Sequence, residues 1–251
     1  MGMGRLSTKW VNWVNRGGKL LFPPACLFCG SSVEKPGCCR VCLDGIRPHS
    51  TAICSRCGIP LSDDLAPGPC GKCLASPPFQ QQTVSLFRYH GPVRDVILNW
   101  KLGGDDAAVQ WLVESSMPKL RTMIGPDDLL LPVPMPLSRM RRSGQHHAAN
   151  LARMMAEGVG CSWDWRVLIR VGEVERQSAL SGVARRKNLR KSFSLNNDHW
   201  AEHWKPDQLK GRIWIVDDIL TTGATLNYAS KALRPLRQPI CALSLARTPF
   251  R

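Results

Sequence analysis

Four pairs of cysteines, each with two residues between its members, lie in the first third of the chain. A Cys-x-x-Cys turn points two sulfurs toward one point, and two such turns supply the four thiolates of a tetrahedral metal site. Fourfold repetition of this spacing favours structural zinc over free buried cysteines or a lone redox pair. The sequence therefore predicts one or two structural Zn²⁺ ions. The ligands would be Cys26 and Cys29, Cys39 and Cys42, Cys54 and Cys57, and Cys70 and Cys73.

The spacing leaves the pairing of these cysteines open. Sequential pairing joins the first pair to the second and the third to the fourth, interleaved pairing is equally allowed, and one site could be vacant. A Cys₄ iron–sulfur cluster is also chemically possible. Cys38 is left over beside Cys39. The segment is too small to fold on a hydrophobic core alone, so metal binding would supply the missing stability.

A second constellation combines two carboxylates with a turn rich in hydroxyl groups and glycine. Asp217 and Asp218 follow the apolar run 213–216, which predicts a short buried strand. Ligands of open α/β sheets bind at the carboxyl ends of strands, and helix N-termini bind phosphate. Paired acids before such a cradle suit sugar hydroxyls or Mg²⁺, so a sugar phosphate is indicated. The turn reads Thr221-Thr222-Gly223-Ala224-Thr225.

Strands and helices that could position the acids and the threonine turn alternate from about residue 79 onward. Apolar runs predict strands at 83–89, 129–133, 166–171, 213–216 and 240–246, and helical periodicity predicts helices at 92–102, 110–123, 145–157 and from about 225. This alternation predicts a parallel α/β sheet covered by helices. We expect two domains: residues 1–78 hold a short N-terminal helix and a double zinc ribbon-like module, and residues 79–251 hold the sheet.

The strand, the acids and the turn resemble the binding motif for phosphoribosyl diphosphate (PRPP) in type I phosphoribosyltransferases. The resemblance implies an α/β fold with the parallel sheet of those enzymes and a Mg²⁺–PRPP ligand. It implies that Asp217 and Asp218 hold the ribose hydroxyls. It also implies that residues 221–225 bind the 5′-phosphate.

With the cysteine module included, the chain resembles the ComF/GntX family over almost its whole length. These bacterial proteins join a zinc-finger region to a phosphoribosyltransferase-like domain. The resemblance places Val133 and Pro134 at a pyrophosphate loop. It implies a role in natural competence, DNA uptake or use of imported DNA, with single-stranded DNA and competence proteins as partners. Further matching motifs are Phe22-Pro23-Pro24, Leu98-x-x-Lys101, Gln177-x-x-Leu180, Arg186-x-Asn188 and Phe193.

Two departures from the family patterns matter for function. Where the family usually reads Arg-Arg-Gly-Phe-Asn-Gln, this chain has Arg141-Arg142-Ser143-Gly144-Gln145-His146-His147. Purine-type relatives carry an acid three positions beyond the second aspartate, and here that position is Thr221. Their catalytic base is therefore absent, and the sequence offers no evident base for an acceptor.

Basic residues outnumber acidic ones by 34 to 19, which gives a net charge of +15 and favours polyanions. Two full Cys₄ zinc sites would reduce that charge to about +11. Many of the basic residues fall at 139–142 and 176–191, and the second segment is either a solvated loop or a mobile flap over an anion. If the protein is a transferase, candidates to stabilise the leaving diphosphate are Arg142, Arg185, Arg186, Lys187 and Lys101.

Two other functions compete with the interpretation of the protein as an enzyme. A sensor would bind PRPP without turnover, and a competence factor would bind single-stranded DNA, although few Tyr and Phe residues are present for stacking. No segment reaches the roughly 18 to 20 uncharged apolar residues of a membrane span, and no secretory signal is visible. We expect a cytoplasmic protein whose cysteines are reduced.

Overall fold

A five-stranded parallel sheet organises the larger part of the computed structural model, which describes residues 24–49, 52–62, 68–136, 140–141, 144–171, 192–204 and 209–249. Its strands are β1 (Gln82–Arg88), β2 (Leu129–Pro132), β3 (Ser162–Trp163), β6 (Ile213–Leu220) and β7 (Ile240–Arg247). The strand order is β1-β7-β6-β2-β3. The predicted α/β class with a parallel sheet is therefore confirmed.

The helices follow the strands in the order expected for such a sheet. They are α1 (Arg40–Gly45), α2 (Gly71–Ala75), α3 (Gly91–Lys101), α4 (Ala107–Ser115), α5 (Met117–Met123), α6 (His147–Val159), α7 (Asn197–His203) and α8 (Ala224–Ala232). Arg234–Leu236 forms a 3₁₀ turn. None of the described helices combines the length and apolar character that a membrane crossing needs.

The sheet has a topological switch between its neighbouring strands β2 and β6. From β2 the chain moves outward to β3, and from β6 it moves outward in the opposite direction to β7. Ligands of open α/β sheets bind at the carboxyl ends of strands at such a point. The predicted sugar-phosphate motif follows β6, so the topology places it at this switch.

Both faces of the sheet are covered by apolar side chains. Trp214 and Val216 of β6 pack on one face with the fully buried Trp100 of α3. Ile213 and Ile215 pack on the other face with residues of α8 and of a small antiparallel ribbon. This alternation explains why β6 is a continuous apolar run, as in other parallel strands buried on both faces.

Three predictions about the elements are corrected. The helix predicted over 110–123 is two helices, because Pro118 has no N–H for a continuous hydrogen-bond ladder. The strand predicted at 166–171 is β4 (Leu168–Arg170), which pairs antiparallel with β5 (Phe193–Leu195) outside the main sheet. The strand predicted at 213–216 continues to Leu220, so the two acids lie within it instead of after it.

The cysteine-rich module consists of tight turns with the two short helices α1 and α2. Residues 26–42 and 54–73 each pair two Cys-x-x-Cys turns, and the second turn of each pair opens a helix. The boundary predicted between residues 78 and 79 remains a prediction. The predicted N-terminal helix lies outside the described residues.

Candidate functional site

The eight paired cysteines form two four-sulfur clusters with sequential pairing. The first cluster is Cys26, Cys29, Cys39 and Cys42, and the second is Cys54, Cys57, Cys70 and Cys73; within each, all sulfurs lie within 4.8 Å of one another. The Sγ atoms of Cys29 and Cys39 are 3.8 Å apart, as are those of Cys57 and Cys70. Four sulfurs about 2.3 Å from a central Zn²⁺ would be separated by about 3.8 Å in a tetrahedron, so both clusters fit the ion.

The first sulfur of each cluster is stabilised as a thiolate. Burial raises the pKa of Cys26, but backbone N–H groups led by that of Cys39 outweigh it and lower the pKa to about 6. Cys54 has the same balance, with N–H groups of Cys57 and Cys70 lowering its pKa to about 6. Metal ligation needs the thiolate, so this hydrogen bonding prepares both clusters for a cation.

The two clusters repeat the same local structure. Gly30 and Gly58 close their first turns with φ of +73° and +69°, in the left-handed region that glycine adopts freely. Each glycine N–H donates 2.9 Å to the carbonyl of the cysteine four residues earlier. The sequence has the same Cys-x-x-Cys-Gly order at both places, and the structure shows that both segments form the same turn.

At the carboxyl ends of the sheet strands, Lys101 and Asp218 form an ion pair. Lys101 Nζ lies 2.7 Å from Asp218 Oδ2, and the two side chains are 32% and 15% exposed. Lys101 is the last residue of α3, so the helix end delivers a cation to the acid pair. This contact brings together two residues that the sequence predicted for one ligand from positions 117 residues apart.

Asp217 is partly protonated near neutral pH. Burial raises its pKa, repulsion from Asp218 raises it further, and the result is about 7. The N–H of Asp218 donates 2.9 Å to Asp217 Oδ1, which partly opposes the shift. The pair therefore carries less than two full charges in the free protein, and a cation or a set of hydroxyl donors would favour its ionised form.

The turn after β6 has the geometry of an anion cradle. Gly223 is the N-cap of α8 with φ +80°, and Thr221 and Thr222 are exposed before it. The N–H of Ala224 donates 3.4 Å to Thr222 Oγ1, and Thr225 lies in the first turn of the helix. The free N–H groups of the first helical turn and the threonine hydroxyls can donate to phosphate oxygens.

The loop after β2 lies beside this turn on the neighbouring strand. Val133 is buried and its N–H donates 2.8 Å to Val216 O, so that N–H is used in the sheet. Pro134 is buried and has no N–H to donate. Of the residues in this loop, Met135 keeps an N–H that points to a side chain, 3.3 Å from His146 Nε2.

His146 cannot accept from both of its backbone neighbours at once. Its Nδ1 lies 3.1 Å from the N–H of Ala149, which it caps at the start of α6. A neutral imidazole has one acceptor nitrogen, and burial lowers the pKa of His146, which favours the neutral ring. In the neutral ring, therefore, one of the two N–H groups, that of Met135 or that of Ala149, lacks this acceptor.

His147 is a buried histidine beside the acid pair that the sequence did not single out. Its side chain is 5% exposed, its ring centroid is 4.4 Å from that of Trp100, and its Nδ1 has no partner among the described residues. Burial lowers its pKa, while the charges of Asp218 and Lys101 act on it in opposite directions. The departure of residues 145–147 from the family pattern was the signal that could have drawn attention to it.

The remaining predicted diphosphate residues lie outside the described residues. These are Arg142, Arg185, Arg186 and Lys187, together with Arg139. Of the predicted basic loop after β2, Arg141 is described and is exposed. Tyr89, which follows β1, is a further residue near the site that the sequence did not indicate: burial raises its pKa, and Asp218 adds to the shift.

The fold and the sulfur clusters define a parallel α/β protein with an N-terminal cysteine-rich, zinc-binding module. Residues 18–74 match the double zinc ribbon domain. The chain is 29% identical over 221 residues to DNA utilization protein YhgH of Salmonella typhimurium, which covers 85% of this chain and 92% of the relative. This match, the double zinc ribbon match and the further relatives named for competence support the predicted resemblance to the ComF family.

More distant relatives have related names. Competence protein F of Haemophilus influenzae is 27% identical over 84% of this chain and 91% of its own length, and Competence protein ComFC of Bacillus subtilis is 25% identical over 78% and 77%. A solved structure of glutamine PRPP amidotransferase from B. subtilis, complexed with ADP and GMP, matches with a TM-score of 0.32 and 17% identity. The match covers 54% of this chain and 26% of that one.

Proposed function

We propose that this protein binds PRPP with Mg²⁺ at the switch between β2 and β6. The observation that carries the proposal is the arrangement around the end of β6: two adjacent acids, a glycine N-cap and exposed threonines, with Lys101 on Asp218. Acids suit ribose hydroxyls, a helix N-terminus suits a phosphate, and a cation suits a diphosphate. PRPP is a ribose that carries a 5′-phosphate and a diphosphate, so it offers a partner to the acids, to the helix N-terminus and to the lysine.

Each described residue has a definite task in this proposal. Asp217 and Asp218 accept hydrogen bonds from the ribose hydroxyls, and residues 221–225 hold the 5′-phosphate. Lys101 turns from Asp218 toward the diphosphate when the hydroxyls take its place, because the ligand then satisfies the carboxylate. The N–H of Met135, on the loop that holds Val133 and Pro134, would exchange its contact with His146 Nε2 for a diphosphate oxygen.

Mg²⁺, when bound with the ligand, would neutralise part of the negative charge of the diphosphate. Arg142, Arg185, Arg186 and Lys187 remain proposed partners of the same group. Because no described residue near the acids is an established proton acceptor, the proposal is for binding, and turnover is a separate question.

We further propose that each sulfur cluster holds one structural Zn²⁺ and that the protein acts in natural competence or in the use of imported DNA. The zinc proposal is supported by the matching sulfur spacing and by the double zinc ribbon match. The cellular role is supported by relatives named DNA utilization protein and competence protein.

Thermal unfolding in the presence of ligands tests the PRPP proposal. A ligand at about 100 times its Kd stabilises by about 2.7 kcal/mol, which raises the Tm of a chain this long by about 5 °C or more. PRPP with Mg²⁺ should raise Tm by that amount, and ribose 5-phosphate by less. Thr222→Val should reduce the shift, and the control Thr122→Val, in α5, should not. No shift with millimolar PRPP would contradict the proposal.

Single-stranded DNA binding is a second candidate, favoured by one surface feature. Phe79 is 37% exposed, with Lys231 Nζ 5.4 Å and Arg234 Cζ 5.5 Å from its ring centroid. An exposed ring beside two cations suits a stacked base and its phosphates. Binding of an oligonucleotide should weaken with salt and with Phe79→Ala, whereas Asp218→Asn should leave it unchanged.

A further inference from the structure

The first turn of the second cluster is fastened to the sheet through its backbone carbonyls. Three consecutive carbonyl oxygens each accept a hydrogen bond from a different side chain outside the cluster. The donors are 1%, 3% and 6% exposed, so all three bonds are shielded from water. The bonds run from Thr83 Oγ1 to Arg56 O (2.7 Å), from Arg247 Nη1 to Cys57 O (2.8 Å) and from His49 Nε2 to Gly58 O (2.9 Å).

The same turn also lies directly on the backbone of β1. A Cβ atom added to Gly58 would be 2.6 Å from the carbonyl oxygen of Thr83, which real contacts do not allow. Any change in the path of this turn must therefore move β1 or break its three side-chain bonds.

The first cluster has no such attachment. A Cβ atom at Gly30, the equivalent glycine, would meet nothing within 4 Å. No described side chain outside that cluster donates to the carbonyls of residues 28–30, and the turn contacts the body through an edge-to-face pair of Phe28 and Trp111, 5.4 Å apart. The two clusters thus differ in their attachment: the second is bonded to the sheet, and the first turn of the first cluster packs against helix α4.

Arg247 connects the second cluster to the turn that follows β6. It ends β7 and pairs there with Leu220, the last residue of β6, so Thr221 is the next residue along the chain. The N–H of Thr248 donates 3.0 Å to Leu220 O, and the N–H of Tyr89 donates 2.7 Å to Arg247 O. One side chain and one strand pair therefore separate Cys57 from residues 221–225.

A zinc-bound second cluster is negatively charged, and this charge can compensate the buried guanidinium of Arg247. Arg247 is 3% exposed, and its Nε has no partner among the described residues. Four thiolates around one Zn²⁺ carry a net charge of about −2, which compensates a buried guanidinium close to the cluster. Loss of the metal, with protons taking its place on the thiolates, would reduce this compensation and loosen the turn that holds Cys57 O.

We propose that metal loading of the second cluster, and not of the first, controls the order of residues 221–225, and that Arg247 is the positioning residue that transmits this effect. The consequence for ligand binding rests on the proposed function, because these residues are the proposed phosphate cradle. The coupling itself is a property of the ligand-free protein.

Amide hydrogen exchange of the zinc-loaded full chain, read at residues 220–225, tests the proposal. Arg247→Met keeps all eight cluster cysteines and should speed exchange there about tenfold, within the usual range of coupling between sites. It should also speed zinc release to a chelator from one of the two sites. The matched control is Arg121→Met, which removes another arginine bonded to a backbone carbonyl, that of Gly158 (2.9 and 3.1 Å), and should change neither.

A second pair of variants keeps the test decisive if Arg247→Met does not fold. Cys54 and Cys26 occupy equivalent places in the two clusters and are both buried. Cys54→Ser should speed exchange at 220–225, and Cys26→Ser should leave it within twofold of the parent. The proposal would be overturned if both variants accelerated exchange at 220–225 equally, or if neither variant accelerated it.

Ligand titrations of the same variants separate this inference from the proposed function. If PRPP does not bind the parent but Cys54→Ser still loosens residues 220–225, the proposed function fails and the coupling stands. If PRPP binds the parent and Cys54→Ser binds it equally well with unchanged exchange, the coupling fails and the proposed function stands.

Discussion

Lys101 Nζ lies 2.7 Å from Asp218 Oδ2, so the cation at the end of α3 neutralises the second acid of β6 in the free protein. Asp217, beside it, has a pKa raised by burial and by repulsion from Asp218 to about 7. In the free protein the two acids are thus only partly charged beyond what Lys101 compensates. This relationship determines how the site should respond to substitution and to pH.

Removing the lysine should weaken binding of a diphosphate ligand. Lys101→Met deletes the cation that the proposed function directs to the diphosphate, and it also leaves Asp218 without its partner. We expect the Kd for Mg²⁺–PRPP to rise about tenfold, which is about 1.4 kcal/mol. Calorimetric titration measures this, with Lys231→Met as the control of equal charge in the last turn of α8. An unchanged Kd would remove Lys101 from the ligand site.

Asp217 should make the folded protein less stable as the pH rises. Its pKa is about 7 in the folded state against about 3.9 when unfolded, so between these values the folded state binds more protons. The contribution of Asp217 to the free energy of unfolding is therefore lost as pH rises toward 7, by about 1 kcal/mol between pH 6 and pH 8. The Asp217→Asn variant should not show this decrease. Urea unfolding at both pH values would show it, and a parallel loss in the variant would contradict the assignment.

His147 should have the opposite pH dependence. Burial lowers its pKa below the ordinary histidine value of about 6.5, so the unfolded state binds more protons and stability falls as pH drops below 6.5. His147→Phe keeps the ring against Trp100 and removes a buried nitrogen without a partner. We expect the variant to gain about 1 kcal/mol relative to the parent at pH 5.5. His49 and His146, whose pKa values are also lowered by burial, should leave a residual acid slope.

The clusters should hold two metal ions per chain, one in each. Elemental analysis of the purified protein should find about two zinc atoms, and Cys29→Ser or Cys57→Ser should each reduce this to about one. Iron in place of zinc would contradict the ion assignment. A single zinc atom in the parent, unaffected by one of the two substitutions, would show that one cluster does not load.

The sequence predicted most of the sheet because its strands are apolar runs with sharp ends, as at Leu129–Pro132 and Ile240–Arg247. It also placed Lys101 in one site with Asp217 and the threonine turn, because the acids and the turn are contiguous in the chain and the family resemblance supplied Lys101. It missed contacts between residues far apart in the chain, such as the bond from Arg247 to Cys57 O. Such contacts leave no local pattern, since they depend on how β7 and the second cluster are brought together.

The pairing of the cysteines was open for a similar reason. Spacing alone allows sequential and interleaved sets, and the choice depends on which turns face each other. In the structure the N–H of Cys39 donates to Cys26 Sγ, and the N–H of Cys70 donates to Cys54 Sγ. These bonds hold the second turn of each cluster against the first and fix the sequential set.

Calorimetric titration of the zinc-loaded protein with PRPP in the presence of Mg²⁺ tests the central claim most directly. We expect one binding event per chain that requires Mg²⁺, is weakened at least tenfold by Asp218→Asn, and is unchanged by Asp44→Asn, which alters an exposed carboxylate in α1. The claim would be contradicted if PRPP released no heat in calorimetry and if diphosphate did not compete with PRPP for the protein. It would also be contradicted if Asp218→Asn bound PRPP as tightly as the parent does.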